Sequence, residues 1–336
     1  MSETEGQSGA IDFHCHWVPE ALAEALRART EPPMIRVTDG VERIIVYREL
    51  LPLLDDLIDM DRRLAFMDAN NVDIQVLSFP GLFGVDSLPA DEAAPLLDIF
   101  NEALAAEIPV RNHRLAGMAA LPIADMDLCV QELQKGMTER GFIGAIVPAN
   151  GFVNRQAAAY FEPLLAEANR LGAHLFIHPG PMPGATGESA NEADNAALRH
   201  IVLNVQALLS EVTMTVTMTD LLDPYPDLTV QVANLGGTMP FIIERLDHVV
   251  ERRQPDAPLP SSRMNRIYVD TSSFDTQGIE AAARVFGPER VLFGSDCPIF
   301  STERIQDAMD RLPRSSTEIA MMRRDNGAAI LRRFQA

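Results

Sequence analysis

The sequence predicts an α/β fold, a (β/α)8 TIM barrel with a small hairpin segment inserted after the first strand. Three observations point there. Eight short apolar runs alternate with longer helical patterns along the 336 residues. Those runs are apolar nearly throughout, as strands covered on both faces must be. No low-complexity block or linker divides the chain, so residues 1–336 read as a single barrel domain. A doubly wound open sheet is the competing arrangement, but eight strand–helix units use up the whole chain and favour the barrel.

Residues 1–9, "MSETEGQSG", are small and polar, lack the basic and apolar segments of a signal peptide, and read as a disordered lead. The first strand is "AIDFHCH" at 10–16. The following stretch, about 17–60, is too long for one strand-to-helix loop. Within it "MIRVTDGVERIIVYREL" reads as a hairpin turning at "TDG", placed over the barrel mouth. The next strands are "DIQVLSF" (73–79), "LAGMAAL" (115–121), "GFIGAIV" (141–147) and "AHLFIH" (173–178). "LTVQVAN" (228–234), "RIYVDT" (266–271) and "RVLFGSD" (290–296) complete the eight. Amphipathic segments separate them, such as "NRQAAAYFEPLLAEANRLG", which stops at Gly172, a helix C-cap signal.

Apolar residues make up 47% of the chain, ample for a full core. No stretch approaches the length of a transmembrane helix. The three cysteines (Cys15, Cys129 and Cys297) are far apart, odd in number and set in apolar sequence. They suit a reducing cytoplasm better than a disulfide framework. A formal charge of −20 argues against nucleic acid or an anionic membrane as partner. It also means that a small anionic substrate would need a local positive island.

Barrels place their chemistry where strands end, at the C-terminal face. His14 and His16 stand two apart on the first strand and therefore point to the same side. His178 ends the fifth strand, Asn234 the sixth and Asp296 the eighth. A lone histidine at such a place is usually an ordinary core or surface residue. Three imidazoles and a carboxylate converging on one mouth make a donor set for one divalent metal ion, Zn²⁺ foremost and Mn²⁺ or Fe²⁺ less commonly. His113, His174, His200 and His248 lie before strands, at the wrong end of one, or in helical patterns, and read as structural or solvated. Cys15 points away from the two histidines by the same alternation and reads as a small core residue.

The stretches "IDFHCHWVPE", "RLAFMDANNVDIQVLS", "LFIHPGP", "PDLTVQVANLGGTMPFIIERLD", "YVDTSSF" and "VLFGSDCP" occur in this order nearly end to end. Through them the chain resembles the amidohydrolase superfamily, and within it the group of aminocarboxymuconate-semialdehyde, γ-resorcylate and 5-carboxyvanillate decarboxylases. The resemblance implies a barrel that is usually dimeric and holds one divalent metal through His14, His16, His178 and Asp296. A second metal in the wider superfamily needs a carboxylated Lys or a Glu at the end of strand four. Here that end reads "AIVPAN", so a single ion is expected.

The main departure from the family is Asn234, which stands where a histidine usually orients or deprotonates metal-bound water. An amide donates and accepts hydrogen bonds but takes no proton near neutral pH. The resemblance also matches Arg245, and more loosely Arg48, to arginines that bind substrate carboxylates, Arg245 reaching across a dimer. Guanidinium forks suit that task. Trp17, Phe274 and Phe300 are candidate pocket walls.

The function expected is metal-dependent, non-oxidative decarboxylation of an aromatic or unsaturated (hydroxy)carboxylic acid. With Asn234 unable to act as base, the route in which Asp296 protonates a ring carbon of a salicylate-like substrate is favoured. One alternative is a metal-dependent hydrolase of a lactone, ester, amide or ring-cleavage product. Another is a catalytically diverged binding subunit. A cytoplasmic homodimer is expected in each case.

Overall fold

The computed structural model describes residues 9–46, 49–111, 113–185 and 194–334. The strands are β1 (Ala10–His16), β2 (Met34–Thr38), β3 (Val41–Val46), β4 (Glu49–Pro52), β5 (Val72–Ser78) and β6 (Leu115–Ala119). They continue with β7 (Gly144–Pro148), β8 (His174–His178), β9 (Thr229–Val232), β10 (Tyr268–Asp270) and β11 (Val291–Leu292). The longer helices are α1 (Glu20–Ala28), α2 (Met60–Ala69), α3 (Ala90–Val110), α4 (Met126–Thr138) and α5 (Glu162–Leu171). Beyond them lie α6 (Val205–Met218), α7 (Met239–Arg253) and α8 (Thr276–Phe286).

Eight strands form one sheet in the order β1-β5-β6-β7-β8-β9-β10-β11, every ladder parallel. The two edges meet through irregular backbone pairs. Phe13 N donates to Phe293 O at 2.9 Å, Asp296 N to His14 O at 2.6 Å, and His16 N to Cys297 O at 2.9 Å. The sheet is thus a closed (β/α)8 barrel, and its seam brings the ends of the first and eighth strands together. Strand interiors are buried on both faces, as in β8, where all five residues are buried.

The insertion after β1 is an antiparallel sheet in the order β2-β3-β4. Asp39 (φ 54°) and Gly40 (φ 75°) make the two-residue turn between β2 and β3, both left-handed as a tight hairpin requires. The third strand, β4, extends the expected hairpin. Val46, with Pro32 and Pro33, faces Gly84 and Ser87 of the loop after β5 and Gly184 of the loop after β8 across a cleft of about 180 Å³. Arg48, the lead at residues 1–8, and residues 186–193 of the Gly- and Pro-rich stretch after β8 lie outside the described residues.

One expectation is corrected. Arg199–Met218 forms a 20-residue helix with mean hydropathy 1.4, long and apolar enough to cross a membrane by length and composition alone. In this fold its second part is the barrel helix α6, which buries Leu209, Val212 and Val216. Its hydropathy comes from a core face combined with an apolar exposed end at Leu198–Leu203.

Candidate metal centre

Ligand atoms of His14, His16, His178 and Asp296 all lie within 4.8 Å of one another, and the four residues are buried. His14 and His16 come from alternate positions of β1, and His178 from the last position of β8. Asp296 lies past β11 in a left-handed conformation (φ 60°), with its N–H tied to His14 O. His16 Nε2 stands 3.2 Å from His178 Nε2, and Asp296 Oδ1 is 3.4 Å from His16 Nε2 and 3.6 Å from His14 Nε2. His14 Nε2 is fully buried and has no hydrogen-bond partner. An orphaned imidazole nitrogen facing two others and a carboxylate is what a divalent cation would satisfy. Among the described residues this is the one such cluster of His, Cys, Asp and Glu side chains.

Each imidazole is oriented from behind. His14 Nδ1 donates to Asp270 Oδ1 at 3.0 Å, and His178 Nδ1 donates to Pro179 O at 2.9 Å. Ser78 Oγ gives its proton to Cys15 O and so accepts from His16 Nδ1 at 3.1 Å. With every Nδ1 engaged as donor, every Nε2 lone pair faces inward. Deeper still, Asp12 is fully buried and accepts from Ser295 Oγ at 2.6 Å, Ser295 N at 3.0 Å and Gln75 Nε2 at 3.3 Å. Burial lifts its carboxyl to about 6 against those bonds. The buried Arg63 guanidinium donates to His16 O and to Gln75 Oε1.

The electrostatics divide the three histidines. Burial opposes protonation of His14, but the carboxylates of Asp270 and Asp296 outweigh it and raise its pKa to about 9. Burial lowers His16, and it lowers His178 well below the usual range with help from its neighbours His16 and His14.

Asn234 sits in the turn after β9, at φ 52° and followed by Leu235 at φ 58°. Its N–H donates to Asp270 Oδ1 at 3.2 Å and its side-chain Nδ2 to Ser273 Oγ at 3.3 Å. Among the other candidates, Trp17 is buried, donates Nε1–H to Ile58 O at 3.0 Å and packs on Phe100. Phe274 is half-buried and covers Gly278 on α8. Phe300 is exposed, and Arg245 lies on the exposed face of α7 with no hydrogen bond or ion pair among the described residues. His174 is a satisfied core residue held neutral by burial, its pKa pushed down to about 4. Burial also raises the Cys15 thiol, consistent with an inert core position.

Asp270 was not among the residues singled out from the sequence. The signal was present, since "YVDTSSF" ends a strand on an aspartate, just as "VLFGSD" does.

Comparison with known proteins agrees with this architecture. The amidohydrolase family profile matches residues 11–333. A γ-resorcylate decarboxylase from Rhodococcus jostii is 28% identical over 320 residues, covering 85% of this chain and 91% of the relative. The crystal structure of 5-carboxyvanillate decarboxylase from Novosphingobium aromaticivorans, complexed with manganese and 4-hydroxy-3-methoxy-5-nitrobenzoic acid, aligns with TM-score 0.79 at 20% identity, over 98% of each chain. That of a dihydroxybenzoic acid decarboxylase from Polaromonas, with manganese and the inhibitor 2-nitroresorcinol, aligns with TM-score 0.70 at 20% identity, also over 98% of each chain. A barrel closed at a buried three-histidine, one-aspartate centre and matched from residue 11 to 333 leaves one assignment: the chain belongs to the amidohydrolase family.

Proposed function

We propose that the protein is a metal-dependent carboxy-lyase that releases CO₂, without oxidation, from an aromatic acid bearing a hydroxyl next to its carboxylate. The observation that carries this reading is Asn234, whose backbone N–H shares Asp270 Oδ1 with the ligand candidate His14 and whose side chain is an amide where water activation would call for a base. The γ-resorcylate decarboxylase from Rhodococcus jostii supports the substrate class. A bound divalent ion would supply the positive charge that receives the substrate's carboxylate and adjacent hydroxyl oxygen.

This chain's residues do the rest. His14, His16 and His178 hold the ion with neutral Nε2 donors. Asn234, its amide fixed by Ser273, offers a hydrogen bond to a substrate oxygen and orients the ring. Asp296 takes the proton of the substrate's adjacent hydroxyl and passes it to the ring carbon carrying the carboxylate; the phenolate left on the product regains a proton from solvent on release. The bond to the carboxyl carbon then breaks, its electron pair restores the aromatic ring, and CO₂ leaves. A hydrolase would need a base to activate water, and Asn234 is not one, which leaves only Asp296, itself a ligand, for that task. The donor set alone suits Zn²⁺, but manganese in both solved neighbours makes Mn²⁺ our choice of working ion. We place the enzyme in the cytoplasm, where three free, buried cysteines are at home, and propose that it works as a homodimer.

The test is elemental analysis joined to a CO₂ assay on 2,6-dihydroxybenzoate and 5-carboxyvanillate. About one divalent ion per chain, and CO₂ release that is lost on chelation and restored by Mn²⁺, is the expected result. His178→Ala should lose the ion and keep the fold, because the barrel core does not depend on it. Stoichiometric metal in that variant, or a water-dependent product without CO₂ from the native enzyme, would overturn the reading.

A further inference from the structure

We infer that Asp270 is a positioning residue that sets the ligand His14 and the turn bearing Asn234 in register through a single oxygen atom. The inference rests on the reading of His14, His16, His178 and Asp296 as a metal centre. Asp270 is fully buried at the end of β10. Its Oδ1 accepts from His14 Nδ1 at 3.0 Å, from Asn234 N at 3.2 Å and from Ser272 N at 3.2 Å. A carboxylate that served the ligand alone would need only the first of these bonds.

The turn needs such an anchor. Asn234 (φ 52°) and Leu235 (φ 58°) are consecutive left-handed residues with side chains, followed by Gly236 (φ 68°) and Gly237 (φ 76°). Non-glycine residues persist in that region only where their surroundings over-determine them. Asp270 Oδ1 holds the first N–H of the turn, so the amide proposed to orient substrate and the imidazole proposed to bind metal share one reference point.

The carboxylate is itself held in place. Its Oδ2 accepts from Gln231 Nε2 at 2.7 Å. A carboxylate cannot donate, so the Gln231 amide must present its oxygen to His174 Nε2, 3.0 Å away. His174 therefore carries its proton on Nε2, and its Nδ1 lies 3.0 Å from Thr229 Oγ1. The histidine dismissed from sequence as standing at the wrong end of its strand is the far end of a chain: His174, Gln231, Asp270, then His14 and Asn234. It runs through the barrel core from floor to mouth.

Two readouts test this without an activity assay: Mn²⁺ affinity against a competing chelator, and amide hydrogen exchange of residues 233–237 with Mn²⁺ saturating. Asp270→Asn should weaken Mn²⁺ by ~10–100-fold and speed exchange in the turn by at least about 10-fold. Asn234→Ala, which keeps the N–H, should leave Mn²⁺ affinity within about twofold. Gln231→Met releases Oδ2, together with His174 Nε2 and Phe13 O, but leaves the three bonds to Oδ1 in place, and should shift both readouts in the same direction by less. It carries the test if Asp270→Asn does not fold. Weaker Mn²⁺ binding with unchanged exchange in the turn would reduce Asp270 to a support of His14 alone and overturn the inference, as would no change in either. Failure of the native protein to bind Mn²⁺ or Zn²⁺ would overturn the metal-centre reading, and this inference with it.

Discussion

At the scale of single residues the protein tolerates buried carboxyls that are not all part of one network. Asp86, in the loop after β5, is 4% exposed and its Oδ1 has no hydrogen-bond partner. Burial raises its pKa from 3.8 to about 7, and the N–H groups of Asp86 and Ser87 offset only part of that. Between about pH 4 and 7 the folded state holds this proton and the unfolded chain does not, so the stability is fully present below the unfolded value and is lost as pH rises through 7. At ~1.36 kcal/mol per unit over about three units, the loss amounts to at most ~4 kcal/mol. Asp12, raised to about 6 by burial, acts in the same direction, so the informative quantity is the difference between native protein and variant. Urea unfolding of the native protein should show stability falling from pH 5 to pH 8, and Asp86→Asn, neutral throughout, should flatten part of that fall. Equal slopes in the two proteins would mean that Asp86 does not hold the proton.

At the scale of elements, the site depends on how closely three strand ends approach. Gly294 follows β11, and a Cβ there would lie 2.8 Å from the Cβ atoms of both His14 and Asp270. Neither neighbour can retreat without moving β1 or β10, so Gly294→Ala should destabilise the fold by ~1–3 kcal/mol, as overpacking does, and weaken Mn²⁺ binding through displaced His14. A urea midpoint and a chelator titration check this, and a variant indistinguishable from native in both would show that the strand ends adjust. The strand interiors were legible in the sequence because burial on both faces writes a continuous apolar run. Their ends were less so: "RVLFGSD" contains only two residues of regular strand, Val291–Leu292, because the seam is made by single backbone bonds to His14 and its neighbours. Strand-end position alone singled out His14, His16, His178 and Asp296, whose ligand atoms the structure brings together, and pointed to Asn234 as well. The supporting bonds were not legible, since His14 and Asp270 lie 256 residues apart and no periodicity records their meeting. The third strand of the insertion escaped for a nearer reason: "VERIIVYREL" reads as one extended run, while the structure divides it between β3 and β4.

At the scale of the whole molecule, the surface carries an apolar patch at odds with a chain of formal charge −20. Leu198, Ile201, Val202 and Leu203 are 63%, 56%, 50% and 59% exposed at the start of the helix that becomes α6, and Phe241 on the next barrel helix is 61% exposed. Scattered single residues of this kind need no explanation, but four within six positions amount to a patch that water disfavours. Covering it returns roughly 1 kcal/mol for each half-exposed side chain. If the homodimer proposed above forms, this patch is the face it is expected to cover, and Arg245 of α7, without a hydrogen bond or ion pair among the described residues, can be tested with it. Sedimentation equilibrium should give twice the 36.9 kDa chain mass for the native protein and the single mass for the double variant Ile201→Asp, Leu203→Asp. If Arg245 serves the partner's substrate, this monomer and Arg245→Ala should share a raised KM for the aromatic acid while each keeps about one metal ion per chain. A monomeric variant with unchanged KM would separate assembly from substrate binding and return Arg245 to the surface.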